Sequence, residues 1–301
     1  MARGPRGSDD RTVRYEEISQ LFGLDPHHPA PGTLRLPPGA GEDFGRVEED
    51  FGSFLDESLD PRGKESLYDL VARAGLPRGA VAVDVGCGSG RDCLGLARTF
   101  GLHVHGVDPV PANIERARSR AAADGLEHLI DLQVGSAESI PLSAESVDLL
   151  WCKEVLVFTD LDAAMGEVRR ILRPKGVAIL YQVLIGPAMG EDEARWFSSQ
   201  EMGFGPARSL RPADLGAAIE AAGLVVRERV DFASEWGEAG QEREGAAGKR
   251  LVHAARLLRQ PERYVERYGE VNYRIMLADC LWHVYRMIGK LWGVAFVVGR
   301  S

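Results

Sequence analysis

Short valine-rich segments alternate with helix-like segments along the middle of the chain, and this alternation restricts the fold more than any other feature. Residues 80–85 form an apolar run with the length and composition of a buried strand, and a helical candidate follows at 91–100. Alternating strands and helices form βαβ units, so the sequence predicts an α/β fold with a mostly parallel sheet and helices on both faces. The predicted strands are residues 80–85, 103–107, 130–134, 147–151, 177–184, 224–232 and 291–298, and the predicted helices include residues 91–100, 112–123, 161–172 and 212–222.

The part of the chain before this pattern has a different composition. Residues 1–59 are interpreted as an N-terminal cap segment, because they contain stretches rich in proline, glycine and charge around a helical candidate at 12–22. The core is predicted to span residues 60–232. Its first helix is expected to begin at Pro61 and to end at Gly75.

The end of the core is followed by a segment without strand signals. Residues 233–290 are predicted to form a helical insertion that acts as a lid over a bound ligand, and residues 291–301 to supply the final core strand. Within the insertion, residues 233–250 are expected to be loose, because glycine and charge dominate there, and helices are expected at 251–259 and 264–290. Such an insertion lies beside the strand ends, which is where open α/β sheets bind ligands.

Charge and cysteine content exclude several classes of protein. Lys and Arg number 36 against 45 for Asp and Glu, and the resulting charge of −9 argues against broad binding to nucleic-acid phosphates. The four cysteines lack paired C-x-x-C spacing, and the first ten residues lack the apolar run of a signal peptide. The most apolar stretch, residues 291–298, is far shorter than the roughly 20 residues of a membrane helix. We therefore expect a cytoplasmic protein with neither nucleic acid nor membrane as a partner.

A glycine-rich turn follows the first predicted core strand. Gly86, Gly88 and Gly90 stand at alternate positions, two residues after Asp84, so the backbone can turn tightly and approach a ligand. A dinucleotide site uses G-x-G-x-x-G instead, which disfavours an NAD-dependent oxidoreductase. Asp108 ends the second strand, where a carboxylate can accept both hydroxyls of a ribose.

With these motifs in order, residues 66–182 resemble the class I S-adenosylmethionine-dependent methyltransferases, in particular the small-molecule methyltransferase-domain group. The resemblance implies a Rossmann-like seven-stranded sheet whose last strand is antiparallel, and S-adenosyl-L-methionine as the cofactor. The motifs are Asp84-Val-Gly-Cys-Gly-Ser-Gly90, Gly106-Val-Asp-Pro109, Gly135-Ser-Ala-Glu-Ser-Ile-Pro141, Val147-Asp148 and Arg173-Pro-Lys-Gly176.

The resemblance also implies roles for the residues of these motifs. Asp84 would contact the methionine end of the cofactor, and the loop beneath it would consist of Gly86, Cys87, Gly88 and Gly90. Asp108 would hold the ribose hydroxyls and Pro109 would pack on adenine. Ser136 and Ala137 would meet the adenine edge, although many relatives have Asp in place of Ser136, and a hydroxyl accepts more weakly than a carboxylate.

The part of the site that would hold the methyl acceptor, beneath the lid of residues 233–290, is less defined by the sequence. Cys152, Lys153 and Glu154 would run beside the methionine part and the transferred methyl group, and Glu154 is a catalytic candidate. Asp279 and His283 lie four residues apart on a predicted helix, so a carboxylate could orient an imidazole that acts as a general base. A purely structural pair is the alternative. No metal site is expected, since His27 and His28 stand in a proline-rich loop and His103 and His105 alternate with apolar residues on a strand.

Two functions follow from this interpretation. The first is methyl transfer to a small molecule, with the methylated atom (N, O or C) open and a role in specialised metabolism as an expectation. The aromatic content of the insertion suits a flat or apolar acceptor, or an amine through cation–π contacts. The second is a relative that binds S-adenosylmethionine without transferring methyl, as a different catalyst or a regulatory module. The oligomeric state stays open, with a homodimer as one option.

Overall fold

The computed structural model describes residues 54–198 and 210–301, together with residues 13–14, 33–34 and 52. The chain divides into two units, residues 1–60 and 61–301. In the first unit, Val13–Arg14 pairs antiparallel with Thr33–Leu34. The helix predicted at 12–22 is therefore wrong at these two residues, where β-branched Val13 suits a strand. The rest of that prediction, and the loop with His27 and His28, lie outside the described residues.

The second unit contains a seven-stranded sheet. Its strands are β1 (Val81–Val85), β2 (His103–Asp108), β3 (Ile130–Val134), β4 (Val147–Lys153), β5 (Leu172–Ile185), β6 (Leu224–Ala233) and β7 (Leu291–Arg300). Their order in the sheet is β3-β2-β1-β4-β5-β7-β6, and β7 runs antiparallel to both of its neighbours while the other pairs are parallel. The predicted Rossmann-like sheet with an antiparallel last strand is thus confirmed.

Helices connect the strands, and glycine, proline or aspartate residues stand at several of their ends. Gly90 and Gly101 flank the second helix in the left-handed conformation, and Pro111 begins the third. The Asp160 side chain caps the fourth by accepting from the Ala163 N–H at 3.0 Å. The helices are α1 (Glu65–Arg73), α2 (Arg91–Phe100), α3 (Pro111–Ala123), α4 (Leu161–Ile171), α5 (Glu191–Ser198), α6 (Pro212–Ala221), α7 (Glu235–Glu244), α8 (Ala246–Arg259), α9 (Pro261–Tyr268) and α10 (Glu270–Met287).

Two hydrophobic layers cover the two faces of the sheet. Ala82 and Leu149 point to a layer that includes α1, α2 and α3. Their neighbours Val83 and Leu150 point to the opposite layer, which includes α4 and α6. Successive strand residues face opposite sides, so strands buried on both faces are apolar at nearly every position. Helices on both faces are confirmed.

The first helix begins later than predicted. It starts at Glu65 rather than at Pro61, because the preceding residues make other contacts. Arg62 donates its Nη2–H to the Glu235 carboxylate at 2.5 Å, and its backbone N–H bonds to the same group at 3.1 Å. Gly63, a poor helix former, follows.

The expectation that residues 233–250 are loose is wrong, since α7 and the start of α8 occupy them. Trp236 stacks on Tyr181 of β5 with ring centroids 4.4 Å apart, and Ala239 and Ala247 are buried. Gly245, in the left-handed conformation, joins the two helices. Tertiary packing therefore stabilises a segment whose own helix propensity is weak.

Helix α5 was not predicted from the sequence. It is held to the end of α10 and to the turn before β7, because Phe197 stacks on Tyr285 at 5.0 Å and Glu193 pairs with Lys290 at 2.5 Å. Among the described residues, none of the helices combines the length and the hydropathy needed to cross a bilayer. The carboxyl ends of the parallel strands meet at one edge of the sheet, where open α/β folds place their sites.

Candidate functional site

The glycine-rich loop after β1 is tied to the end of β2. The N–H groups of Gly86 and Cys87 both donate to the Val107 carbonyl, at 2.7 and 3.0 Å. The next N–H, that of Gly88, donates to the Asp108 carboxylate at 2.9 Å. The loop conformation is thus fixed by the strand that also carries the predicted ribose-binding acid.

Asp108 is buried and accepts three hydrogen bonds. Its other donors are the backbone N–H of Val110 and the side-chain amide of Asn113, each at 2.9 Å. A carboxylate has about four lone-pair positions, so it retains acceptor capacity beside the loop. Besides its predicted role in binding ribose, Asp108 therefore stabilises the glycine-rich loop through the Gly88 N–H.

Gly88 and Gly90 are glycines for different reasons. Gly88 has φ +52°, and a Cβ built there would meet no atom of the described residues within 4 Å, so these residues leave the space above it open. Gly90 has φ +78°, and its Cβ would lie 2.9 Å from that of Ala117 in α3. Gly90 therefore serves packing, whereas Gly88 leaves room for a ligand.

Cys87 and Cys152 direct their side chains away from this edge. Cys87 is buried, and its sulfur lies 3.1 Å from the place that a Cβ would take at Gly106. Cys152 is buried in the layer formed with α4 and α6, and burial raises the pKa of its thiol. The backbones of these two residues lie in the predicted site, while their thiols pack in the core.

Asp84 is a carboxylate enclosed in the protein. It is 2% exposed, and it accepts a hydrogen bond from the Cys93 thiol at 3.2 Å. Burial, with Asp92 second, raises the pKa of Asp84 to about 8. Lys153 pairs with Asp92 at 2.6 Å, and no cation lies at ion-pair distance from Asp84 among the described residues.

The residues predicted to surround adenine lie next to Asp108. Pro109 follows it and is exposed. The Gly135 N–H donates to the Asp108 carbonyl at 3.2 Å, which brings the loop after β3 beside the end of β2. Ala137 is buried and Ser136 half-buried in that loop. Their contacts with adenine remain a prediction.

Glu154 follows β4 in the left-handed conformation, with φ +62°. Its backbone N–H donates to the Tyr181 carbonyl at 2.9 Å, and its carboxylate accepts the Val183 N–H. Burial raises the pKa of this carboxyl, although Arg286, Lys153 and the Val183 hydrogen bond oppose the shift.

A cavity of about 320 Å³ adjoins this acid. Its polar lining includes Glu154, Gln182 and Asp279, and its apolar lining includes Leu184 and Trp282. The structure therefore brings two of the three predicted catalytic residues to one cavity.

His283 lies elsewhere. It lines a separate cavity of about 180 Å³ with Trp236 and Arg286. Its Nε2 is 3.9 Å from the Asp279 carboxylate, beyond hydrogen-bond distance, whereas Arg250 pairs with that carboxylate at 2.8 Å. Burial lowers the pKa of His283. Asp279 and His283 share a helix face as predicted, but Arg250 is the closer partner of Asp279.

Sequence reasoning missed two residues of this region, Arg286 and Gln182. Arg286 is buried, donates to the Tyr181 hydroxyl at 3.1 Å, and lies 4.5 Å from the ring centre of Trp282. The Oε1 of buried Gln182 has no hydrogen-bond partner among the described residues. Their only sequence signal is a polar residue within an apolar strand or an aromatic helix, which does not reveal the contact between the two elements.

Comparison with known proteins identifies a methyltransferase domain within the chain. Residues 83–180 match a family described as a methyltransferase domain. The chain is 30% identical over 183 residues to methyltransferase GfsG of Streptomyces halstedii. This match covers 59% of the chain and 66% of GfsG, just under two thirds of that relative's length.

Solved structures share the fold at lower identity. A putative sarcosine dimethylglycine methyltransferase from Galdieria sulphuraria has a TM-score of 0.62 at 17% identity, over 85% of this chain and 98% of that chain. The [4+2]-cyclase SpnF has a TM-score of 0.64 at 21% identity, over 87% of this chain and 96% of its own. At these identities the similarity shows the fold alone.

The residues at the edge of the sheet fit S-adenosylmethionine, the cofactor of this family. Asp84 is a buried acid with no cation at ion-pair distance among the described residues, and it suits the ammonium of the methionine part. The open space at Gly88 and the acceptor capacity of Asp108 suit a ribose. Since residues 83–180 match the methyltransferase-domain model, form the β1–β5 part of the sheet and carry a loop that fits this cofactor, they form a class I S-adenosylmethionine-dependent methyltransferase domain.

Proposed function

We propose that the protein is an enzyme that transfers methyl from S-adenosylmethionine to a small apolar molecule bearing a hydroxyl or amine group. The observation that carries this proposal is the cavity beside Glu154, which adjoins the carboxyl ends of β4 and β5. The cofactor would be held by Asp84, the Gly88 loop and Asp108 at the neighbouring strand ends.

The lining of the cavity supports this class of acceptor. Leu184, Ile185 and Leu291 give it apolar walls. Glu154 and Asp279 are hydrogen-bond acceptors when ionised, and no Arg, Lys or His lines it among the described residues. Anionic molecules would therefore be disfavoured there, whereas a donor group on an apolar body would find a partner.

When bound, S-adenosylmethionine supplies an activated methyl group: the acceptor's lone pair forms the new bond to carbon while the carbon–sulfur bond breaks and sulfur keeps that electron pair. The protein's contribution is to align the acceptor and to exclude water. Hydroxyl and ammonium groups must also lose a proton. Glu154 is the residue proposed to take it, because its carboxylate borders the cavity and burial raises its pKa toward that of a useful base.

The direct test is formation of S-adenosylhomocysteine with chosen acceptors. We expect product with 4-butylphenol or N-methylbenzylamine, which combine an apolar body with a donor, and none with hexanoate, which matches their size but is anionic. Sarcosine tests a small polar amine. Product from hexanoate alone would contradict the proposed class of acceptor.

A second function is binding of the cofactor without methyl transfer. The structural similarity to the [4+2]-cyclase SpnF motivates it, since that protein is named for a different reaction. The same assay separates the two functions. Cofactor binding by calorimetry, with no S-adenosylhomocysteine from any acceptor of the panel, would favour this second function.

A further inference from the structure

Two histidines and an aspartate gather on one face of β2 and β3, away from the proposed cofactor site. His103 and His105 are two residues apart on β2 and so point to the same face of the sheet. Asp131 of β3 lies directly opposite His105 in the parallel register. The pleat of two paired strands therefore collects three metal-ligating side chains.

The ligand atoms of this cluster lie close together. His103 Nε2 is 2.8 Å and His105 Nδ1 is 3.8 Å from the same oxygen of Asp131, and the three ligand atoms are all within 4.8 Å of one another. His105 Nδ1 is buried and has no hydrogen-bond partner among the described residues. The Asp131 side chain is 56% exposed, which leaves the cluster open to solvent.

These separations suit a tetrahedral transition-metal ion. Zinc binds imidazole nitrogen and carboxylate oxygen at about 2.0–2.2 Å, which places neighbouring ligand atoms about 3.3–3.5 Å apart. The two distances to Asp131 lie on either side of that value, so small side-chain rotations would close the site. We propose that His103, His105 and Asp131 bind Zn²⁺, with water as the fourth ligand.

The position of the cluster indicates a structural role for this ion. Asp108, at the proposed cofactor site, lies three residues beyond His105 on an extended strand, a separation of about 10 Å. Among the described strands, β3 lies at the edge of the sheet and pairs with β2 alone. A shared ion would therefore hold the edge strand in register, and the proposal is independent of methyl transfer.

The test is a calorimetric titration of Zn²⁺ into tag-free protein freed of metal by a chelator, with Mg²⁺ as the comparison. We expect one Zn²⁺ per chain, a rise in melting temperature with zinc, and no binding of Mg²⁺, which prefers oxygen ligands. The four cysteines are buried and do not compete in the folded protein. Asp131→Asn and His105→Ala should each weaken zinc binding by roughly 100-fold.

Matched controls use histidines outside the cluster. The exposed His128→Ala and the double change His27→Ala with His28→Ala should leave zinc affinity within about twofold, and circular dichroism checks that each variant is folded. Asp131→Asn keeps the shape of an exposed side chain, so its folding is not at risk. Absence of zinc binding, or zinc binding that survives Asp131→Asn and His105→Ala, would overturn the proposal and leave an ordinary His103–Asp131 hydrogen bond.

Discussion

The proposed cofactor half and acceptor half of the site are assembled from the chain in different ways. In the cofactor half, the bond between Gly88 and Asp108 joins residues 20 positions apart, across one βαβ unit. In the acceptor half, Arg286 meets Tyr181 across 105 positions, and the elements involved are a strand and an inserted helix. Short connections along the chain bring the residues of the cofactor half together. The residues of the acceptor half meet only because the inserted helix α10 packs against β5.

The two halves also differ in electrostatics. Among the described residues, Asp84 is a buried acid without a cation at ion-pair distance, while buried Arg286 contacts the Tyr181 hydroxyl and the Trp282 ring. In the cofactor half, Lys153 pairs with Asp92 rather than with Asp84, so a cationic ligand group can become the direct partner of Asp84. In the acceptor half, the positive charge of Arg286 already compensates the negative charge of Glu154. The acceptor therefore does not have to bring a charge of its own, and a neutral or weakly basic molecule can bind. The following changes test this contrast.

Gly88→Val should have the largest effect, the loss of detectable S-adenosylmethionine binding. The valine would occupy the open space above the loop and would also be strained at φ +52°. Calorimetry measures the binding. Gly75→Val is the control, because Gly75 has φ +62° and equally open surroundings at the end of α1. If both variants lost binding equally, backbone strain rather than occupation of the site would explain the result.

Glu154→Gln should lower the rate of methyl transfer by about 10²- to 10⁴-fold for acceptors that must lose a proton, with cofactor affinity unchanged. The amide preserves shape but cannot take a proton. Single-turnover kinetics with a phenolic acceptor provide the measurement. His283→Gln, in the neighbouring cavity, is the control and should change the rate by less than about threefold. If His283→Gln lowered the rate more than Glu154→Gln did, His283 would be the base, as the sequence pattern alone predicts.

Asp108→Ala should weaken cofactor binding by roughly 10- to 150-fold, the equivalent of losing about 1.5–3 kcal/mol. The change removes a charged acceptor and leaves the Gly88 N–H unpaired. Asp148→Ala is a suitable control, because Asp148 also accepts a backbone N–H, that of Val81. This bond lies at the amino ends of β1 and β4, away from the proposed cofactor site. Unchanged affinity in a folded Asp108→Ala protein would refute the ribose assignment.

The smallest effect concerns pH. Asp84 has a native pKa of about 8, above its unfolded value near 3.8, so the native state retains a proton that the unfolded state has lost. Between these values the free energy of unfolding falls as pH rises, by up to about 1.4 kcal/mol per pH unit. A bound ammonium would favour the ionised carboxylate and expel the proton. Cofactor affinity should therefore rise by up to about tenfold from pH 6 to pH 7.

Calorimetry in buffers of different ionisation enthalpy measures this proton release directly. The isosteric change Asp84→Asn should abolish this proton release and make the fall in the free energy of unfolding with pH less steep, since it removes the contribution of Asp84 alone. A wild-type affinity that is flat between pH 6 and pH 7 would show that Asp84 does not face the ammonium.

The contrast between the halves also explains how far the sequence could be interpreted. Asp84, Gly88 and Asp108 stand at the ends of strands whose valine-rich composition marks them, so their common edge was predictable. Trp236 was not, since it lies in a segment of glycine and charge that becomes helical through contact with Tyr181. Likewise, the spacing of Asp279 and His283 predicted a shared face, but only the fold shows Arg250 at 2.8 Å from Asp279.

The left-handed backbone at Glu154 has a consequence for how such a protein evolves. A residue with a Cβ in this conformation costs about 1–3 kcal/mol, and glycine would remove most of that cost. Mutational drift toward stability therefore favours glycine or asparagine at this position. Retention of glutamate in descendants of this chain would mark lineages in which selection for the carboxylate outweighs selection for stability, and its replacement would mark those that have abandoned the chemistry while keeping the fold.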